Sequence, residues 1–153
     1  MCGYRSCIPP GNAAAPSTPE EAIRNLRSRY AWFVDDGAWE WWANLFTTDA
    51  RVTYEGMPTL EGRDEILAFA RDTIDDLYTY SMHAAQMPRL TIEDDTGTGE
   101  WYLVVFYEKP NGSEGWVTGT YTDEYRRVDG EWRFASVANT IHHDSGEDEP
   151  HLQ

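Results

Sequence analysis

The sequence predicts an α+β domain: a cone-shaped barrel in which three N-terminal helices pack against a strongly curved, mostly antiparallel sheet. Three observations lead there. A length of 153 residues fits one domain, able to bury roughly two thirds of its unfolded surface. Helical periodicity is confined to the N-terminal half, and the C-terminal half alternates in long strands joined by turn signals. Helices that precede a run of antiparallel strands leave the sheet to curl round them and bury its inner face, which makes a cone with an open mouth.

The elements follow in order. Residues 1 to 17, which include MCGYRSCIPPGNAAAP, read as a disordered tail rich in Pro, Gly and Ala. The domain is expected over 18–143 and an acidic tail over 144–153. Thr18-Pro19-Glu20-Glu21 opens the first helix, with Thr as N-cap, Pro at the first helical position and Glu closing a capping box. Ile23, Leu26, Tyr30, Phe33 and Val34 share one face of that helix, which should stop near Gly37. Trp39 to Phe46 reads as a short second helix and Arg51 to Glu55 as the first strand. Gly62-Arg63-Asp64-Glu65 starts a third helix with acids in its first turn and an apolar face of Ile66, Leu67, Ala70, Ile74 and Leu77. Beyond Tyr78 the chain reads as extended to Gln86, then as a strand through Leu90 and Ile92, with further strands over about 98–108, 115–128 and 131–142. Asp129-Gly130 between the last two is a hairpin signal.

Composition narrows the function. Twenty-seven acidic residues stand against 12 basic ones, giving a net charge of −15, with a single lysine at position 109. Such a field repels phosphate backbones and anionic lipid, so nucleic acid and membranes are poor partners and a neutral small molecule suits better. An aromatic content of 14% supports a lined cavity, or simply a core of large rings. No apolar run is long enough for a membrane span and no secretory h-region is seen, so a cytoplasmic protein is expected. Cys2 and Cys7 lie in the N-terminal tail and supply neither a zinc ligand set nor a disulfide framework. Neither H-x-x-H nor H-E-x-x-H occurs, and glycine-rich phosphate loops and the G-x-S-x-G elbow are missing. What is left is acid–base chemistry without a cofactor.

Two stretches bear on such chemistry. Asp35 and Asp36 close the first helix among aromatic residues, and read either as a solvated helix end or as acids set in a pocket, where a carboxylate becomes chemically useful. His83, inside YTYSMHAAQM, sits among apolar and small residues and needs a hydrogen-bond partner. It is either a satisfied structural histidine or, facing a carboxylate across a cavity, a general base with its tautomer set. His142, His143 and His151 are expected in the solvated tail region.

Taken in order, Tyr30, Asp35, Gly37, Trp39, Leu45-Phe46, Asp49-Ala50, Val52, Gly62-Arg63-Asp64-Glu65-Ile66, Met82-His83, Thr98-Gly99-Glu100-Trp101-Tyr102 and the run Tyr121 to Phe134 resemble the SnoaL-like, polyketide-cyclase-like branch of the nuclear transport factor 2-like superfamily. Within it the likeness is to scytalone dehydratase and the bile acid 7α-dehydratases, over roughly residues 18 to 142. The resemblance implies a cone of three helices and a curved mixed sheet, and a homodimer or homotrimer. It also implies a site in which Asp35 pairs with His83 while Tyr30 polarises the substrate. Two features of those dehydratases find no counterpart: Val104-Val105 stands where a further Asp is expected, and no His occurs at Trp116 to Thr118.

The expected activity is therefore that of a cofactor-independent dehydratase, removing water from a β-hydroxy carbonyl of a hydrophobic polycyclic, steroid-like or polyketide-like molecule. Tyr54, Trp101, Tyr102, Trp116 and Asn139 are the expected wall residues. An isomerase or cyclase using the same dyad, and a non-catalytic carrier of hydrophobic ligands, are the alternatives. The superfamily hosts all three, and fold alone selects none.

Overall fold

The computed structural model describes residues 18–146. The N-terminal tail with Cys2 and Cys7, the C-terminal residues beyond Gly146, and His151 lie outside the described residues.

Helix α1 spans Pro19–Asp36 and starts as its sequence requires: the Thr18 hydroxyl accepts from the Glu21 N–H at 3.1 Å, with Pro19 in the first turn. It stops at Gly37, whose φ of 66° is a left-handed conformation open to glycine at little cost. Its buried face carries Ile23, Leu26, Arg27, Tyr30, Ala31 and Phe33. Helix α2 is shorter than expected, Trp39–Ala43, because Leu45 already offers its carbonyl to the Phe134 N–H and draws Phe46 into the sheet. Strand β1 is correspondingly longer, Phe46–Thr53. A two-residue strand, β2 (Leu60–Glu61), pairs with it and was not anticipated, being too short for alternation to show. Helix α3 (Arg63–Phe69) runs through a π-turn over Ala70–Ile74 into the short α4, Asp75–Leu77.

Strands β3 (Tyr80–Glu93), β4 (Thr96–Glu108), β5 (Glu114–Val128) and β6 (Glu131–Asp144) form an antiparallel meander. The extended stretch and the strand expected on either side of Pro88 are one strand, β3, kinked where the register shifts between Gln86 and Arg89 around Met87 at φ 53°. The β5–β6 hairpin turns at Asp129-Gly130, both with positive φ as a two-residue turn demands. Strand order is β2-β1-β6-β5-β4-β3, and β1 lies parallel to β6. The result is the expected α+β cone with a mixed, mostly antiparallel sheet, although β2 and β3 remain edges and the sheet does not close.

Strict alternation in β4 decides what faces the helices. Gly97, Gly99, Trp101, Leu103, Val105 and Tyr107 point in, and Tyr102 and Phe106 point out. The narrow end of the cone is a dense aromatic core: Trp42, Phe46 and Phe134 are fully buried, and Tyr30 meets Trp42, Phe46, Tyr121 and Phe134 edge-on. Glycine at 99 belongs to this packing, since a Cβ there would lie 2.6 Å from the Tyr125 hydroxyl.

Candidate active site

Rings fill the narrow end of the cone, and the wide end stays open. It holds a cavity of about 690 Å³ between the C-terminal half of α1, the α3–α4 segment and the inner face of the sheet. Apolar walls come from Val34, Phe69, Ile74, Leu77, Leu103 and Val105, while Tyr30, Tyr54, Tyr121, His83 and Asn139 bring polar atoms to the interior. Glu55, Asp76, Lys109, His142 and Asp144 are also among its lining residues.

Asp35 sits in the last turn of α1, where the helix passes β3, and its carboxylate gathers three donors from that strand. Ser81 Oγ donates at 2.9 Å, the His83 backbone N–H at 3.0 Å to Oδ2, and His83 Nδ1 lies 2.7 Å from Oδ1. Both side chains are only 14% exposed. With Nδ1–H donating to the carboxylate, Nε2 is left as the lone-pair nitrogen of a ring that lines the cavity, an arrangement able to accept a proton there. The two readings open at these positions in the sequence meet in one contact, 48 residues apart in the chain.

In the same cavity, the hydroxyls of Tyr30 and Tyr54 are hydrogen-bonded to each other, and Tyr121 interacts with Tyr30. Burial first, then the neighbouring phenol, holds Tyr30 well above the ordinary tyrosine value, with the nearby Arg27 cation pulling the other way. Burial likewise raises Tyr54 and Tyr121, so all three are protonated donors at neutral pH. The Oδ1 of Asn139 accepts from the Glu55 N–H at 2.8 Å, leaving the amide Nδ2 as that side chain's donor group.

Of the expected wall residues, Tyr54 and Asn139 line the cavity and three do not. Trp101 points inward but lies deeper, at the narrow end, donating from Nε1 to the Tyr125 hydroxyl at 2.8 Å. Tyr102 and Trp116 stand on the outer face of the sheet, 57% and 40% exposed, and Trp116 stacks on His143. The correction is one of strand parity: an unbroken alternation in β4 and β5 sends the even-numbered residues outward. Nor do His142 and His143 belong to a tail, since β6 runs on to Asp144 and carries both to the lining of the cavity. Ser145 and Gly146 are also tied down, the first accepting from the Trp116 N–H at 2.8 Å and the second donating to Asp144 at 2.9 Å.

The sequence reading missed Tyr121 and the buried pair of Arg27 and Asp123. Their signal was positional. Arg27 falls four residues after Ile23 and three before Tyr30 on the apolar face of α1, and Asp123 lies between Tyr121 and Tyr125 on one side of β5. Among the described residues no group of three or more His, Cys, Asp or Glu side chains is placed to hold a metal ion. Among the described residues no helix is long and apolar enough to cross a membrane.

The SnoaL-like domain family matches residues 16–138, which is most of the chain. This protein belongs to that family. No curated protein matches the sequence significantly. Solved structures similar to it include a type 2 hexachlorocyclohexane dehydrochlorinase, LinA, with a TM-score of 0.78 and 24% identity over 82% of this chain and 86% of that one. A candidate scytalone dehydratase from Novosphingobium aromaticivorans gives a TM-score of 0.77 and 20% identity over 82% and 85% of the two chains. A nuclear transport factor 2-like protein with a cystatin-like fold, from the same organism, gives 0.68 and 27% over 80% of each. These likenesses establish the SnoaL-like cone and leave its chemistry to be argued from the site.

Proposed function

We propose that this SnoaL-like protein is a cofactor-independent lyase that removes water from a β-hydroxy carbonyl of a hydrophobic polycyclic, steroid-like or polyketide-like molecule. The observation that carries the reading is the contact at 2.7 Å between Asp35 and Nδ1 of His83, a ring that lines the cavity. A volume of about 690 Å³ suits a small organic ligand of several rings. The acidic exterior favours one that is neutral on entry.

The roles proposed for these residues are supported by the contacts described above. His83 Nε2 takes the proton from the carbon next to the carbonyl, Asp35 holds the ring and stabilises the imidazolium, and the hydrogen-bonded hydroxyls of Tyr30 and Tyr54, one donating to the other, turn the remaining O–H to the oxygen on which negative charge develops. Collapse of that enolate breaks the β C–O bond. The departing hydroxide takes a proton from the imidazolium and leaves as water, which returns the neutral histidine. A positioned base of this kind contributes ~10²- to 10⁴-fold. Removal of a proton from carbon is also the first step of isomerisation or ring closure. The lack of a second acid at the positions noted on β4 and β5 keeps an isomerase or cyclase as the second reading.

The experiment is incubation of native protein and His83→Ala with hydroxylated ketones, followed by mass spectrometry. Loss of one water by the native protein alone, with His83→Ala folded and inactive, supports the lyase. Product of unchanged mass assigns an isomerase or cyclase, and an active His83→Ala enzyme overturns the mechanism.

A further inference from the structure

A buried charge behind the tyrosine hydroxyls has no role in the mechanism above. Arg27 stands one turn before Tyr30 on α1, and its side chain is 1% exposed. Asp123 accepts from its Nε at 3.1 Å and from its Nη2. The same carboxylate accepts from the Tyr125 hydroxyl at 2.7 Å, which in turn accepts from Trp101. The guanidinium carbon lies 3.7 Å from the centre of the Tyr121 ring, 4.4 Å from that of Tyr30 and 4.7 Å from that of Phe134. Nη1 is buried without a hydrogen-bond partner.

As a purely structural device this pair is costly, because apolar side chains of similar volume hold a core as well or better. Its orientation points to a different use. The carboxylate is tied toward Tyr125 and Trp101 at the narrow end of the cone. The cation lies against the rings of Tyr121 and Tyr30, whose residues line the cavity. In a medium of low dielectric, an oriented charge in this position acts strongly on any charge that forms at those hydroxyls.

The geometry points to Arg27 as a positioning residue: held by Asp123 beneath Tyr30 and Tyr121, its cation makes the hydroxyl cluster of Tyr30, Tyr54 and Tyr121 select a ligand oxygen that carries negative charge, an enolate or phenolate. This rests on the reading that the tyrosine end of the cavity receives the substrate oxygen. The net charge of −15 outside disfavours anions arriving from solvent, so the selected charge is one that develops on a neutral ligand after entry.

The test uses 4-nitrophenol, whose phenolate is yellow, at the pH where the free compound is half ionised. Native protein is expected to bind it mainly as the phenolate. Arg27→Met combined with Asp123→Leu, and separately Arg27→Gln combined with Asp123→Asn, should lower the bound phenolate-to-phenol ratio about tenfold, equivalent to one unit of pK. The second pair keeps a hydrogen bond without charge, so the comparison survives if the apolar pair does not fold. Tyr30→Phe should lower the ratio as well, since it removes a donor from the cluster. Native protein that fails to bind the probe or binds the neutral phenol, a ratio unchanged in the folded charge-free pair, or a spectrum unaffected by Tyr30→Phe would each overturn the proposal. The measurement requires no turnover. Absence of dehydration leaves it standing, and an unchanged ratio defeats it even in an active enzyme.

Discussion

Replacing Asp35 by Asn changes one atom and tests the centre of the site. In the native protein the carboxylate accepts from Ser81 Oγ, the His83 N–H and His83 Nδ1 at distances of 2.7 to 3.2 Å. An amide has one acceptor oxygen, and its NH₂ must face one of those donors or turn away. Either choice leaves a partly buried donor unpaired, at a cost of about 1–3 kcal/mol in folding stability. The imidazole is affected more, because its Nδ1–H no longer meets a full negative charge and the proton moves to Nε2, the nitrogen that has to act as base. Losing a positioned base is expected to lower kcat by ~10²- to 10⁴-fold, about 3–5 kcal/mol of transition-state stabilisation. KM should change little. Urea unfolding measures the first quantity and steady-state kinetics on a turned-over ketone the second. Long-range nitrogen–proton NMR correlations read the tautomer without any substrate. An Asp35→Asn protein whose His83 stays protonated on Nδ1, or whose kcat stays within about threefold of native, refutes the role assigned to Asp35.

Three further outcomes are expected. Tyr30→Phe should lower kcat by ~10²- to 10³-fold, the usual effect of deleting one donor to a developing oxyanion, while circular dichroism stays native; an equal loss in KM alone would mean uniform binding instead. Burial, with a hydrogen bond to Asp144, pushes Tyr107 up to about 12, and burial also holds Tyr30 and Tyr121 above the ordinary value. An unfolded tyrosine ionises near pH 10, so the folded state binds these protons more tightly, and its stability is complete below about pH 10 and is lost as pH rises toward 12. Phenolate absorbance should therefore appear together with unfolding, and buried tyrosines that titrate near pH 10 in native protein would contradict this. Finally, Met82, Phe106 and Trp116 are paired neighbours across β3, β4 and β5, and all three are exposed on the outer face of the sheet. Self-association through that face would contribute roughly 1.5–3 kcal/mol for each of these side chains that it fully buries. Sedimentation should show a salt-strengthened dimer or trimer that Phe106→Glu dissociates, and a native monomer would rule the face out.

Much of this was readable along the chain because it is local. Thr18, Pro19 and Gly37 act within one turn of their own backbone, and Asp129-Gly130 forms a turn whatever surrounds it. The helices and long strands follow from periodicity, and with Asp35 and His83 each already conspicuous among apolar neighbours, the family resemblance was enough to pair them. Errors arose where neighbouring strands took part. Phe46 left the helical pattern of Trp39 to Ala43 because β6 offered it a ladder, and Leu60-Glu61 is a strand through its pairing with β1. Tyr102 and Trp116 were set on the wall without a reliable parity, although alternation along β4 and β5 is unbroken and the extra residues of the neighbouring ladder, Ala135 and His142, fall in β6.

The division is physical. Caps, turns, amphipathic faces and the acidic net charge depend on residues near one another in the chain or on composition alone, so the order of the elements and the α+β class were settled before any folding. The cavity's volume, the meeting of Tyr30, Tyr54 and Tyr121, and the ion pair of Arg27 with Asp123, 96 residues away, depend on register between distant segments. An arginine and an aspartate in a sequence are surface residues by default. Only the tertiary structure, by curling the sheet around α1, turns two solvated charges into one buried dipole beneath a cluster of phenols.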